Sequence, residues 1–569
     1  MRVVHRLQEK EVWRTIPDHT MSTNPGFLLT GKRGGFLYLS AHNNISRYCG
    51  SYFPVMDDSG WELFKAIESV HLLGIEAEAV KNNFSNIERL SLNAKERFYM
   101  PQNKTILYEV EGHNGYAEIV LDCRKMHDFD DAGRMYSMKN EDGMVVFDYV
   151  KYTGEDMKEE QYRIYVAISG FSGYEKSCRW EKRYYPFDKG RGTENYELFV
   201  YNALRIRIDE KAKIIMTFSE SREEAVALAR NAEQNYEHLK RSNDIYKNKI
   251  LQSSLRHDDS EIEMAFKCAV NSVDSLVMEM GKSKGIYAGL PWFYQFWSRD
   301  ETIAVKSLIL EERFDEAREI LLRLTSQIQA NGRLSNRYPN SDLGSADSVG
   351  WLFLRINDLF AALEKKNQFK DYLSQDDMVR IKERLSYSIS LILDEFVEDG
   401  LVRNNPLETW VDTGYKDDTR PGFRVEIQAL MLSMYRLMRS LCTMTRNSTK
   451  QLSYARLEDV TARKVREVFW KSPVLSDGAA DKTIRPNIFL VYYIYPWLLS
   501  RKEWIECFDH ALEKLWLGWG GLSSIDRNSP LFVDSYSGEN NRSYHRGDSW
   551  FFINNIAAIA MHDLDPKRY

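Results

Sequence analysis

The segment GLPWFYQFWSRDETI (289–303) places five aromatic rings directly before an arginine and two acids. Arg299 and Asp300 offer charged donors and acceptors for hydroxyl groups, and the rings offer flat apolar faces. A pyranose sugar needs both kinds of contact. Arg299 and Asp300 are therefore candidate sugar contacts, although Ser298 and Glu301 also fit a capping box that would simply start a helix here.

A second segment, NNPLETWVDTGYKDDTRPGFRVEIQAL (404–430), is rich in acids. Asp412 differs from the others because Trp410 is close to it in the chain. A carboxyl group beside an aromatic wall is desolvated, so its pKa rises and it can act as a general acid near neutral pH. Asp417 and Asp418 are expected to be solvated.

Three further polar residues precede helical patterns or stand among aromatic neighbours. Asp347 comes just before an apolar stripe, where it is either an N-cap or a site residue. Glu426 leads another stripe and is expected to cap or brace it. His545 lies in YHRGDSW (544–550), and these surroundings favour a substrate contact as much as a structural place.

Several function classes lack support in the sequence. Lys plus Arg number 77 and Asp plus Glu 83, a net charge of −6 that gives no general attraction for nucleic acid or an anionic membrane. Zinc-type Cys/His spacing, GxGxxG, Walker and GxSxG motifs are missing, so no metal or organic cofactor is predicted. The charged N-terminus does not resemble a signal peptide, and a cytoplasmic location is predicted.

The hydrophobic period changes along the chain, which predicts two kinds of domain. Apolar residues alternate with polar ones around 117–123, 164–168 and 204–208, as in half-buried strands. We therefore predict an antiparallel β-sandwich over 1–220. S-R-E-E at 221–224 has the form of a capping box, and 221–260 is predicted to be a linker helix followed by a polar connection from about 240.

From 261 to 569 the period is helical, and about ten helices are expected. Long aromatic and polar loops alternate with short joins, an arrangement typical of a ring of helical hairpins, although an open solenoid fits the period equally well. Four apolar stripes are the clearest: Phe314–Ile328, Val349–Leu363, Met378–Phe396 and Ile427–Leu441.

Five segments in order resemble motifs of the C-terminal domain of glycogen debranching enzymes, the amylo-α-1,6-glucosidase family, and more distantly glucoamylases. They are PWFYQFWSRDETI, TWVDTG, RVEIQAL, RPN (485–487) and YHRGDSW. The resemblance runs from about 261 to 569. It implies an (α/α)6 barrel behind the β-sandwich, with a site formed by the long loops.

The resemblance also implies a reaction, the inverting hydrolysis of a single glucose joined α-1,6 to glycogen or limit dextrin. Asp412 would be the general acid. The implied substrate-binding residues, with Asp347 added as a candidate, are Trp297, Arg299, Asp300, Asp347, Trp410 and His545. The partner would be an α-glucan. Debranching enzymes with two activities also carry a glucanotransferase domain, and nothing before residue 261 resembles it. A separate glucanotransferase would therefore act on the same substrate.

Inversion also requires a second carboxylate, about 6.5–9.5 Å from the acid, to activate water. In the resembled family this base is a Glu that follows the YHxG motif and one more helix. Because the sequence stops at Tyr569, we expect the barrel to lack its last hairpin and the base to be absent from this chain. Glu539, Asp534 and Glu426 are local candidates. Two alternatives stay open: a glucoamylase-like α-1,4-glucosidase, and a glucan-binding protein without hydrolysis.

Overall fold

A computed structural model describes residues 3–6, 24–58, 60–154, 156–252, 257–339, 341 and 343–569, with only the backbone described for 3–6 and for Glu539. The chain divides into two compact units, Met1–Tyr294 and Gln295–Tyr569. In the described ranges, no helix combines the length and the apolar composition that a bilayer crossing requires.

The first unit is built on one antiparallel sheet, to which fourteen strands contribute within the described residues. The strands are β1 (Val3–Arg6), β2 (Gly26–Thr30), β3 (Phe36–Ser40), β4 (Gly50–Asp57), β5 (Gly60–Leu72), β6 (Ala79–Asn82), β7 (Ile87–Leu90), β8 (Lys95–Gln102), β9 (Thr105–Lys125), β10 (Arg134–Glu141), β11 (Met144–Thr153), β12 (Glu159–Ser169), β13 (Tyr174–Tyr184) and β14 (Glu197–Ser219). The predicted alternation is confirmed on β14, where Ile206 and Ile208 are buried and Arg207 and Asp209 are exposed.

Two long strands, β9 and β14, hold this sheet together. They pair with each other from Leu121↔Tyr201 to Thr105↔Thr217, and β9 also pairs with β5 and β8, while β14 also pairs with β12 and β13. One arm runs through β8 to β1 and through β12 to β10, while the other runs through β5 to β2. A single hydrophobic core takes residues from both arms, for example Phe53 and Phe147.

Helices follow the sheet. They are α1 (Pro186–Gly190), within the strand region, then α2 (Arg222–Gln234), α3 (Tyr236–Gln252) and α4 (Ser260–Leu276). Ser221 caps α2 by accepting from the N–H of Glu224 at 3.3 Å. The reciprocal half of the predicted capping box is wrong, because Glu224 accepts from Lys104 and Ser219 instead. The polar stretch predicted as a connection is helical as far as Gln252.

The second unit is mostly helical, and short two-residue and four-residue strands lie in its loops. Its helices are α5 (Ser298–Leu310), α6 (Phe314–Ser326), α7 (Ser348–Lys365), α8 (Phe369–Tyr372), α9 (Gln375–Glu395), α10 (Val425–Met444), α11 (Ser448–Phe469), α12 (Asn487–Ile494), α13 (Arg501–Leu515) and α14 (Phe551–Leu564). The remaining strands, of which β15 and β16 precede this unit, are β15 (Val277–Met280), β16 (Ser283–Ile286), β17 (Phe296–Trp297), β18 (Arg337–Tyr338), β19 (Val397–Glu398), β20 (Leu401–Asn404), β21 (Gly422–Phe423), β22 (Trp470–Lys471) and β23 (Val474–Leu475).

The four predicted apolar stripes are confirmed as helices α6, α7, α9 and α10. On α6 the stripe residues Phe314, Ala317, Ile320 and Leu324 are all buried, because residues three or four apart share one face of a helix. The first turn of α5, the loops that precede α7 and α10, and the segment before α14 carry the polar residues of interest. The helices thus act as fixed supports for these loops.

Candidate active site

The first site segment ends at the start of α5, but not through the predicted capping box. Ser298 is the first helical residue, and its hydroxyl donates to the carbonyl of Ser335 at 2.7 Å. Glu301 pairs with Arg323 at 2.5 Å. The capping-box prediction is therefore wrong here, since both side chains bind partners outside the helix terminus and fix the direction in which α5 starts.

Arg299 joins two carboxylates from two other loops. Its Nε donates to Asp347 Oδ2 at 2.6 Å, and its Nη1 donates to Asp412 Oδ2 at 3.2 Å. Arg299 as a whole is only 7% exposed. Its Nη2 atom is buried and has no hydrogen-bond partner in the described part of the chain. One arginine thus connects the beginnings of α5 and α7 with the loop 404–424.

Asp347 occupies the N-cap position of α7 but does not cap that helix. Its carboxylate accepts from Arg299 and from the Ser345 hydroxyl, the latter at 2.9 Å. Only 2% of its surface is exposed. The N-cap interpretation of Asp347 is therefore wrong, and its side chain holds Arg299 instead.

Asp412 is the more exposed of the two acids that bind Arg299, with 27% of its side chain exposed. Burial raises its pKa above the ordinary value, and the nearby negative charge of Asp347 adds to the rise, while Arg299 opposes it. This direction is the one predicted from the aromatic surroundings. An accessible carboxyl group that holds its proton to higher pH has the properties of a general acid.

Asp300 lies beside this pair and combines two properties. Its side chain is exposed to solvent, yet the protein atoms around it desolvate the carboxylate enough to raise its pKa to about 6. Arg299 opposes this rise, and Asp412 and Asp347 contribute to it.

The aromatic candidates differ in exposure. Trp297 is half-buried, and the guanidinium of Arg337 lies 5.5 Å from the centre of its ring. Trp410 is 5% exposed, and its indole N–H donates to Asn487 Oδ1 at 2.6 Å. Trp410 therefore offers almost no surface of its own and packs behind the loop that carries Asp412.

His545 is also buried, with 1% of its surface exposed. Its Nδ1 lies 2.8 Å from Thr413 Oγ1, and its Nε2 lies 4.0 Å from Asp412 Oδ1. Its ring meets Trp410 edge to face at a centroid distance of 5.4 Å. Burial and the neighbouring arginines, Arg485 first, lower the pKa of His545 well below its ordinary value, so the imidazole is neutral.

A buried ionic cluster, which the sequence did not reveal, fixes the loop that carries Asp412. Asp477 accepts from Arg420 at 2.9 and 3.0 Å, from Arg424 at 3.2 Å and from Asn487 at 2.7 Å. Because Asn487 in turn accepts from Trp410, the cluster reaches the wall behind Asp412. The RPN motif pointed to Asn487, whereas no local pattern distinguished Asp477.

Asp418 corrects another prediction. Asp417 is exposed as expected, but Asp418 is nearly buried and accepts from Arg485 at 2.9 Å and from Arg546 at 2.8 Å. It thereby fastens the Asp412 loop to two other motif segments. Two adjacent aspartates look alike in sequence, and only the position of the two arginines separates them.

The local candidates for a general base have different surroundings. Glu426 is 2% exposed and accepts from Arg420 at 2.9 Å, and burial raises its pKa, so it braces the start of α10 as the sequence suggested. Asp534 is exposed. The side chain of Glu539 lies outside the described residues. Among the described residues, no three His, Cys, Asp or Glu side chains are grouped closely enough to hold a metal ion.

Comparisons with known proteins identify a matching family and similar folds. A family model described as amylo-alpha-1,6-glucosidase matches residues 270–567, more than half of the chain. A bacterial glucoamylase solved with acarbose has a similar fold, with a TM-score of 0.59 and 11% identity over 99% of this chain and 89% of that one. A putative kojibiose phosphorylase from human microbiome has a TM-score of 0.52 and 10% identity over 94% and 85% of the two chains. No curated protein sequence matches significantly.

Proposed function

Since the chain belongs to the amylo-alpha-1,6-glucosidase family, we propose that it is an inverting glycoside hydrolase that releases glucose from α-1,6 branch stubs of glycogen or limit dextrin. The observation that carries this proposal is the pairing of Arg299 with Asp412 at 3.2 Å, beside the exposed carboxylate of Asp300. The partner is an α-glucan, and a separate glucanotransferase prepares the same substrate.

Each site residue takes a role from its exposure. Asp412 is the general acid, which protonates the glycosidic oxygen as the bond to the leaving glucan breaks. Asp300 and Trp297, which reach solvent, contact the terminal glucose, while the buried Arg299 holds Asp412 in place. Asp347, Trp410 and His545 are almost fully buried, so they act by positioning these groups.

The proposal includes the arrangement of the helices. We propose that α5–α14 belong to an (α/α)6 barrel, whose loops at one end carry the site. This idea is supported by the convergence of the segments before α5, α7 and α10 on Arg299. The similarity in fold to a glucoamylase supports it further.

Two other enzymatic activities are alternatives to α-1,6 hydrolysis. A glucoamylase-like α-1,4-glucosidase would use the same acid. A glycoside phosphorylase is the second, because phosphate is itself the nucleophile and needs no carboxylate to activate water. The ion pair between Glu426 and Arg420, which occupies one candidate base, favours its inclusion. A protein that binds glucan without turnover is the remaining alternative.

The substrate test uses the purified full chain. It is incubated with limit dextrin carrying single α-1,6 glucose stubs, with maltoheptaose, and with each glucan plus inorganic phosphate. Free glucose, its initial anomer by ¹H NMR, and glucose 1-phosphate are measured. We expect β-glucose from the α-1,6 stubs. Faster glucose release from maltoheptaose than from the α-1,6 stubs would indicate α-1,4 specificity instead. Formation of glucose 1-phosphate would indicate phosphorolysis instead of hydrolysis.

A titration with the same glucans, performed on the same sample, completes the test. Heat of binding together with no product under any condition would contradict an enzymatic function and establish the glucan-binding alternative. If the chain shows no binding and forms no product, glucan is contradicted as the substrate class. Retention of the α anomer in the first product would contradict inversion while leaving the hydrolysis in place.

A further inference from the structure

The hydroxyl of Thr413 contacts a buried imidazole that faces the proposed general acid. Thr413 Oγ1 lies 2.8 Å from His545 Nδ1, and His545 Nε2 lies 4.0 Å from Asp412 Oδ1. Thr413 follows Asp412 directly in the chain. The imidazole of His545 therefore lies between the hydroxyl of Thr413 and the carboxyl of Asp412 and couples the two groups.

The imidazole of His545 has little freedom to move. It stacks on Trp550 at a centroid distance of 5.1 Å and an interplanar angle of 19°, and Trp410 meets it edge to face. Its backbone carbonyl accepts from Arg485 Nη1 at 2.9 Å. Ring contacts on two sides fix the plane of the imidazole, so its two nitrogens keep their separate neighbours.

Thr413 is held from its backbone as well. Arg546 Nη2 donates to the carbonyl of Thr413 at 2.6 Å and to that of Asp418 at 2.8 Å, while its Nε donates to the Asp418 carboxylate. Because Arg546 directly follows His545, its hydrogen bond to the Thr413 carbonyl links the segment that carries His545 to the segment that carries Thr413. The distance between Thr413 and His545 is thus imposed by the packing of their loops.

The charges around His545 decide how many hydrogens its ring nitrogens carry. The groups that act on its ring are Arg485, Arg299, Arg546, Arg420, Asp412 and Tyr544. Four positive charges and burial disfavour the imidazolium, so the ring carries one N–H. When the Thr413 hydroxyl donates to Nδ1, it occupies the lone pair of that nitrogen, and the single hydrogen of the ring is on Nε2.

We propose that Thr413 and His545 are positioning residues that keep the acid proton of Asp412 directed at the substrate. This inference rests on the proposed function and names how its general acid is oriented. With the hydrogen on Nε2, the ring cannot accept the carboxyl proton. With the opposite tautomer, the Nε2 lone pair would face Asp412 Oδ1 at 4.0 Å and would attract the carboxyl proton to the side away from the glycosidic oxygen.

The kinetic test compares three variants of the full chain. Thr413→Val keeps the branched shape and removes the hydroxyl, Thr413→Ser restores a hydroxyl, and Thr419→Val is a matched control in the same loop. On a substrate that releases glucose, we expect Thr413→Val to lower kcat about tenfold with KM unchanged. The basic limb of its pH–kcat profile moves to higher pH, because a lone pair facing Asp412 favours the protonated acid.

Thr413→Ser and Thr419→Val are expected to keep the native kcat and the native profile. A purely structural role for Thr413 would change thermal stability without moving the pH limb. An unchanged kcat and pH limb in Thr413→Val would overturn the inference.

A spectroscopic measurement needs no turnover. ¹⁵N-labelled histidine in the full chain reports which imidazole nitrogen carries hydrogen, and the His545 signal is identified by its change in Thr413→Val. We expect the Nε2–H tautomer in the native chain and in Thr413→Ser, and its loss in Thr413→Val. An Nδ1–H tautomer in the native chain would overturn the inference. The expected tautomer in a chain that cleaves no glycoside would instead refute the proposed function alone.

Discussion

Arg299 and Asp412 lie 113 positions apart in the chain and meet at 3.2 Å, in a contact that gathers three loops of the helical unit. The same guanidinium holds Asp347 at 2.6 Å. Because Asp412 keeps 27% of its side chain exposed and Asp347 only about 2%, one acid faces solvent and the other lies behind the arginine. The site therefore has a solvent side, where Asp412 lies, and a supporting side, where Asp347 holds Arg299.

Removal of the acid group at 412 tests its catalytic role. Asp412→Asn keeps the shape of the side chain but cannot donate the proton, so kcat for glucose release should fall by roughly 10²–10⁴-fold. Thermal unfolding should remain close to native. Asp417→Asn is the matched control, since Asp417 is an exposed carboxylate of the same loop. Native turnover in Asp412→Asn would remove this residue from the mechanism.

Loss of the charge behind Arg299 tests the supporting side. Asp347→Asn leaves a buried guanidinium without its closest counter-charge, which should lower the free energy of unfolding by about 3 kcal/mol. Urea unfolding measures this change. Ser345→Ala, which removes a hydrogen bond to Asp347 but keeps the ion pair, should cost about 1 kcal/mol. Equal losses in the two variants would contradict a charge-based role.

The buried cluster around Asp477 yields a prediction about loop position. Asp477→Ala removes the carboxylate that Arg420 and Arg424 share, leaves them only Glu426 and Asp481, and frees Asn487, with an expected loss of about 3 kcal/mol. Asp477→Asn should lose less, because the amide oxygen still accepts hydrogen bonds. Denaturant unfolding separates the two, and tryptophan fluorescence reports the release of Trp410. A loss of under 1 kcal/mol for Asp477→Ala would mean that the cluster does not hold the loop.

The pKa of Asp300 predicts a pH-dependent stability. Its folded-state pKa is raised from 3.8 to about 6, so the folded chain binds the proton more tightly than the unfolded chain does. The associated stability is present below pH 4 and is lost as the pH rises through about 6. Asp300→Asn should therefore raise the melting temperature at pH 7.5 by roughly 2 °C, and this gain should vanish at pH 4.

A series of melting temperatures from pH 4 to pH 8 checks this behaviour. The same variant should bind glucan more weakly if Asp300 contacts the terminal sugar, which links a stability gain to a loss of function. A gain that is equal at both ends of the pH range would show that the charge of Asp300 is not its cause.

The sequence by itself determined the kinds of element and the kinds of site residue. Strand alternation on β14 and the stripes of α6, α7, α9 and α10 are local patterns, since burial of one face depends on residues two, three or four positions apart. The aromatic and acidic motifs likewise carry their chemistry in their residue types. Periodicity therefore predicted the antiparallel strands and the helices, and the motifs identified Arg299, Asp300 and Asp412 as candidates.

Only the tertiary structure decided which side chains share a partner. Ser298 donates to a distant carbonyl instead of capping α5, Asp418 is buried between two arginines while Asp417 is not, and Asp477 supports the loop without any local signal. Each outcome depends on a charge or carbonyl brought from far along the chain. The physical reason is that a polar side chain binds whichever partner the packed loops place within about 3 Å, and sequence spacing does not encode that distance.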